Sequence, residues 1–178
     1  VQGIDESFRA AAFIGYHSAA GRAGNPLAHT VSGRMFTRVE LNGVLASEFH
    51  IYAYAAASVG VPVAFLSGDR ALCDEAAATI EGITTIATLE GHGASVTSML
   101  PAEATALIEQ RLRAALEGPL PQAPALPAEF HFRLCFARAS DAYAKSFFPG
   151  ARLASDTEVL LETRNYFDVL TFLWFAAQ

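Results

Sequence analysis

Apolar positions along this chain follow three rhythms, and each rhythm predicts a different kind of element. Ala10–Tyr16 (AAAFIGY) and Val61–Leu66 (VPVAFL) are continuous apolar runs without alternation. Such runs predict strands covered on both faces of a parallel sheet. Arg34–Leu41 (RMFTRVEL) and Phe130–Phe136 (FHFRLCF) alternate instead, as half-covered strands do. Asn42-Gly43 after the first of these, followed by Val44, is a two-residue hairpin signal. Ile83–Leu89 and Glu158–Thr163 predict further strands. The third rhythm is helical. Leu45, Phe49, Tyr52, Ala56 and Val59 form one stripe of a helix over 45–59, which Gly60 stops, and the other faces of that helix are mostly alanine, leaving room for a second close neighbour. Helices are also predicted over 70–79, with Asp69 as N-cap, over 101–116, over 140–147 and over 166–177. The last is apolar nearly all round, which predicts burial or an interface. Together these elements predict an α/β fold: an open, mostly parallel sheet flanked by helices, with a β-hairpin and a C-terminal α+β portion.

With 178 residues, the chain is long enough for one region with a real core. The stretch 118–128 carries four of the eight prolines and reads as an extended internal connector, because too little follows it for an independent domain. Residues 1–178 are therefore read as a single region. The first residue is Val1, and VQGIDESF leads straight into a strand, which is read as an incomplete N-terminus.

Composition narrows the function. Hydrophobic residues make up 52% and charged residues 17%, so either the core is large or apolar surface meets another chain. The net charge is −6 and no run of Lys or Arg occurs, which argues against nucleic acid. No apolar run reaches about 18 residues, so no membrane span is expected, and nothing reads as a secretory leader. Cys73 and Cys135 are isolated and read as free thiols in a reducing, cytoplasmic compartment.

The chemistry concentrates in one stretch. His17 closes the first strand at its carboxyl end, where open α/β sheets place their ligand crevice. His29 lies in an irregular loop carrying Gly21, Gly24, Pro26 and Gly33, the placement of a catalytic group on a movable segment. At about 100° per residue, Glu48 falls roughly 60° from the middle of the helix stripe, a partly buried carboxylate that needs a cation, a metal or strong donors. These side-chain types bind zinc and move protons near neutral pH. His50, His92 and His131 lack partner spacing and read as ordinary. The Ser67-Gly68-Asp69 turn is a weak anion-cradle candidate at a helix start. Signatures such as HExxH, GxSxG, the P-loop and GxGxxG are missing.

FRAAAFIGYHSAAG, then LAHTVSG, then the Asn-Gly hairpin with LASEFHIYAYAAASVGVPVAFLSGD, resembles the D-aminopeptidase family of the DppA type. The likeness continues through Ser95-Val96 and Leu100-Pro101 to the last helix. The resemblance implies a zinc peptidase that removes N-terminal D-amino acids from short peptides. It further implies a homo-oligomer of stacked pentameric rings, up to a decamer, with sites facing an internal chamber. By the same resemblance His17 and Glu48 are metal ligands for a pair of zinc ions, and His29 is the catalytic residue. The family's N-terminal segment carries an Asp-x-Glu pair and a further histidine, all ligands, and these 178 residues hold no match to it. Two side chains fall below the three protein ligands usual for catalytic zinc. A non-catalytic, ring-forming scaffold subunit with an incomplete metal site is the alternative.

Overall fold

The computed structural model describes residues 2–178 and contains two sheets. Sheet A joins β1 (Ala11–Tyr16), β4 (Val63–Asp69), β5 (Thr84–His92) and β6 (Ser95–Ser98) in the order β1-β4-β5-β6. The β1·β4 and β4·β5 pairs are parallel and β5·β6 is antiparallel. Sheet B is wholly antiparallel. It joins β2 (Phe36–Leu41), β3 (Val44–Leu45), β7 (Phe130–Phe136), β8 (Ala151–Ser155) and β9 (Glu158–Thr163) in the order β3-β2-β7-β9-β8. The mixed α/β class and the mostly parallel sheet thus agree with the sequence pattern.

The two apolar runs fare differently. β4 is buried along its whole length, as a central parallel strand must be. By contrast β1 lies at the edge of sheet A, and Ala12, Ile14 and Gly15 are exposed, so its expected two-sided cover is not supplied by the described residues. β6 and β8 escaped the sequence reading. Gly91-His92-Gly93, read as a loop, instead ends β5 and starts the β5–β6 hairpin. Such short strands, exposed at nearly every position, carry no apolar alternation to read.

The β2–β3 turn is as the sequence dictates. Asn42 (φ 52°) and Gly43 (φ 78°) supply the two positive φ values that a type I′ turn requires.

Helix α1 (Glu48–Ala57) begins three residues later than predicted, because the Ser47 side chain accepts the His50 N–H and caps it. Its buried residues point two ways. Ile51 and Ala55 join the sheet B core, while Phe49, Ala53 and Ala56 join the sheet A core. The alanine-rich faces therefore let one helix serve as a wall between two cores. Helix α2 (Arg70–Thr79) starts at its Asp69 cap, whose carboxylate accepts the Leu72 N–H at 2.9 Å. Helix α3 (Pro101–Glu117) contacts β4 and β5 but buries no residue fully. An irregular stretch, 118–129, then carries the chain into sheet B at β7. Helix α4 (Ala139–Lys145) and helix α5 (Tyr166–Ala177) complete the sheet B half. α5 buries Tyr166, Val169, Phe172, Leu173 and Ala176, and its other side exposes Phe167 and Trp174. Among the described residues no helix is long and apolar enough to cross a membrane.

Candidate functional site

The site is assembled at the carboxyl end of β1, where the chain leaves sheet A and wraps back toward α1. That wrap, residues 18–33, is irregular, one of the two forms the sequence suggests, and it is pinned by buried polar groups. The Thr30 hydroxyl is fully buried, accepts the Ala20 N–H at 3.1 Å and donates to the Ala46 carbonyl at 2.9 Å. The His29 N–H donates to the Ser18 carbonyl (3.1 Å), and the Gly91 N–H donates to the Gly24 carbonyl (2.9 Å). A Cβ on Gly91 would lie 2.2 Å from that carbonyl oxygen, so only glycine permits the contact.

This pinned loop carries His29 into contact with both other candidates. The His17 and His29 rings lie 5.5 Å apart between centroids, tilted by 47°. His29 Nε2 is 3.7 Å from Glu48 Oε1, and both side chains are about one-third exposed or less (35% and 28%). Sequence alone could not show this convergence, which links a strand end, a loop and a helix start.

Each group has a defined partner. His29 Nδ1 lies 2.7 Å from the Leu27 carbonyl, which can only accept. Nδ1 therefore carries a proton, and Nε2 faces the Glu48 carboxylate. Glu48 Oε1 accepts the Val31 N–H at 2.9 Å. Val31 adopts φ 61°, rare for a β-branched residue, so backbone strain accompanies that contact. Glu48 also lies in the first turn of α1, where the helix dipole favours a carboxylate. His17 Nδ1 is 3.1 Å from Asn25 Nδ2.

Behind His17 stands an anchor the sequence reading saw only as a helix cap. The fully buried Asp69 carboxylate accepts from Ser18 N (2.6 Å), the Ser18 hydroxyl, Asn25 Nδ2 (2.8 Å) and Leu72 N. Burial works against its charge, but these donors outweigh burial and hold its pKa below the ordinary carboxylate value. With a carboxylate capping α2, the Ser67-Gly68-Asp69 turn offers no anion cradle. Gly68 has a steric task instead, since a Cβ there would lie 2.3 Å from the Tyr16 carbonyl.

Tyr16 and Tyr52, with ring centroids 6.5 Å apart, stand beside Glu48. Burial, then the Glu48 charge, pushes the Tyr16 phenol up to about 12, and the same two causes raise Tyr52. Both residues had been read only as part of apolar patterns.

Three histidines stay outside the site. His50 pairs with Glu75 (2.9 Å), which also meets Arg22 (3.3 Å), so it is a half-buried tie between α1, α2 and the loop. His92 and His131 are exposed beside Glu90 and Glu162. Cys73 and Cys135 are both free and buried, and burial pushes both thiols up to about 11.

The sequence profile described as D-aminopeptidase matches residues 1–175. The chain belongs to the D-aminopeptidase family. A D-aminopeptidase of Bacillus subtilis (strain 168) is 33% identical over 73% of this chain and 50% of its own length. The chain thus spans half the length of that curated relative. Its fold is similar to that of a solved structure, described as the zinc-dependent D-aminopeptidase DppA from Bacillus subtilis, a self-compartmentalizing protease. The TM-score is 0.85 at 25% identity, covering 100% of this chain and 67% of that one.

The residues present fit a zinc ion in kind. An imidazole, His17, and a carboxylate, Glu48, both lie close to His29, and among the described residues Glu48 has no Lys or Arg partner. They do not complete a site, because no three His, Cys, Asp or Glu side chains among the described residues come together as a metal-binding group. His17 and Glu48 are two donors toward the three that catalytic zinc normally takes from protein.

Proposed function

We propose that this protein acts as a zinc-dependent aminopeptidase on short peptides, preferring an N-terminal D-amino acid. His17 and Glu48 are its metal ligands, and His29 is its catalytic residue. The observation carrying this reading is the nearness of His29 to both of the others, with its Nδ1–H held by the Leu27 carbonyl and its Nε2 turned toward Glu48. A bound zinc ion supplies a Lewis acid and lowers the pKa of water toward about 7. His29 takes a proton at Nε2 during attack, and the Leu27 carbonyl keeps the ring aimed by holding Nδ1–H. Once protonated, the imidazolium faces the Glu48 carboxylate across 3.7 Å, which stabilises its charge. Tyr16 and Tyr52 shield one side of Glu48 from water.

The family membership, and the names of the similar proteins, support the chirality, the zinc and an assembly that encloses its sites. To this the resemblance of the sequence adds two stacked pentameric rings and two zinc ions per site. A cytoplasmic location is consistent with two free buried thiols. The test pairs metal analysis with turnover of short peptides that differ only in the chirality of their first residue. Near-stoichiometric zinc and faster cleavage of the D-peptide are expected. Zinc-independent cleavage would refute the reading. The incomplete donor set favours a second reading, a ring-forming scaffold subunit, and that reading predicts neither zinc nor turnover.

A further inference from the structure

We propose that the outer face of α5 docks against the same face of a second copy of this chain, the two helices antiparallel about a two-fold axis at Thr171. The inference rests on the assembly proposed above, and adds which surface meets and in what symmetry.

Helical spacing sets the stripe. Phe167, Thr171, Trp174 and Gln178 fall on one side of α5, opposite the buried Val169, Phe172, Leu173 and Ala176. Phe167 is 70% exposed and Trp174 73%, although both are large aromatics. The stripe carries no charged residue. Its central hydroxyl is already engaged, since Thr171 Oγ1 donates to the Phe167 carbonyl at 2.8 Å inside the same helix. Covering this face therefore strands no hydroxyl proton.

Symmetry, charge and area point to a second copy as the occupant. Phe167 and Trp174 lie on either side of Thr171, so an antiparallel copy sets Phe167 of each chain against Trp174 of the other, a self-complementary aromatic contact. The same rotation brings the flank where Lys145 lies over the Phe175 ring (4.7 Å) beside the Asp168 flank of the other copy. Opposite signs thus meet at the rim of two chains that each carry a net charge of −6. At about 150–250 Å² per aromatic side chain, the exposed parts of Phe167 and Trp174 supply on the order of 300 Å² of apolar surface. That is less than half of the roughly 800 Å² per partner in a standard interface, and it suits a reversible contact within a larger assembly. Being isologous, the contact joins copies in pairs, so it stacks one ring on another while each ring closes through a different surface. A lipid surface fits less well, because no basic residue lines the stripe and Arg164, just before the helix, is held by Glu129 at 2.6 Å.

Trp174 is the only tryptophan in the chain, so its fluorescence reads this face alone. As the full chain is concentrated, its sedimenting mass should double while the tryptophan emission moves to shorter wavelength and acrylamide quenches it less. Thr171→Arg, at an exposed position, sets like charges across the axis. It should halve that mass and restore the emission of an exposed indole. Thr171→Glu should do the same, and an equal mixture of the two variants should re-form the doubled species, since the axis places position 171 opposite itself. A mixture that stays apart overturns the two-fold arrangement. An assembly in which Trp174 stays exposed, or that survives Thr171→Arg, overturns the docking face and leaves the assembly itself standing. A chain that remains a single copy at every concentration overturns both. Emission that shifts only on adding phosphatidylcholine vesicles assigns the face to lipid and overturns the proposal. The wild-type measurements decide these last outcomes even if neither Thr171 variant folds.

Discussion

The two halves of this molecule handle polarity in opposite ways. Around sheet B the core is built from Phe36, Phe130, Phe132, Phe136, Leu134 and Phe172, and its charges stay outside. There Arg133 bridges Glu40 (3.5 Å) and Glu158 (2.7 Å) along the sheet surface. Between β1 and β4 the pattern inverts. Among the described residues all six buried polar ones, Ser18, Asn25, Thr30, Ser47, Ser67 and Asp69, fall in this part of the chain. No buried side-chain nitrogen or oxygen among the described residues lacks a partner. Burying polar groups costs free energy even when they are bonded, and an apolar core would hold a fold as well. The contrast teaches that sheet B serves to stabilise, while the loop and strand ends of sheet A hold His17, His29 and Glu48 close together.

The sharpest way to break this division is at His29. His29→Ala should lower kcat by about 10²–10⁴-fold, the usual share of a general acid–base group. Zinc content, measured by elemental analysis, should stay unchanged, and loss of zinc would move His29 into the ligand set. Phe132→Ala probes the other half. Its fully buried ring should cost about 3–5 kcal/mol in denaturant unfolding while the folded fraction keeps its zinc. A change in zinc stoichiometry there would show that the halves are coupled.

Asp69→Ala should cost about 3 kcal/mol, since it strips the partners from Ser18, Asn25 and Leu72 at a buried position. The same residue makes a pH prediction. Its folded pKa lies below the ordinary 3.8, so its contribution is present above that value and is lost as pH falls through the folded pKa. Wild type should therefore lose more stability than Asp69→Asn as the pH drops below about 4, as read from denaturation midpoints; parallel losses would contradict the network. The smallest effect is spectroscopic. Tyr16 should ionise near pH 12 by ultraviolet titration, and Glu48→Gln should lower that midpoint only part of the way, because burial remains. An unmoved titration would separate Tyr16 from Glu48.

Much of the fold was legible because its rhythms are strong. The ranges of α2, β7, β9 and α5 follow from periodicity and caps, and the hairpin follows from Asn42-Gly43. β6 and β8 were invisible because edge strands exposed at nearly every position carry no hydrophobic signature. His17, His29 and Glu48 stood out as reactive types near element ends. Asn25 and Asp69 did not, because an Asn before a proline and an Asp before a helix already have ordinary explanations in turn and cap chemistry.

Sequence by itself determined most of the elements, the family and the residue types available for chemistry, because local propensity and periodicity act over a few residues. Only the tertiary structure decided that β1 lies at an edge, that α1 is shared by two cores, and that Asp69, 44 positions from Asn25, sets which way its amide faces. Hydrogen-bond direction depends on what packing brings within about 3 Å, and no local pattern encodes that.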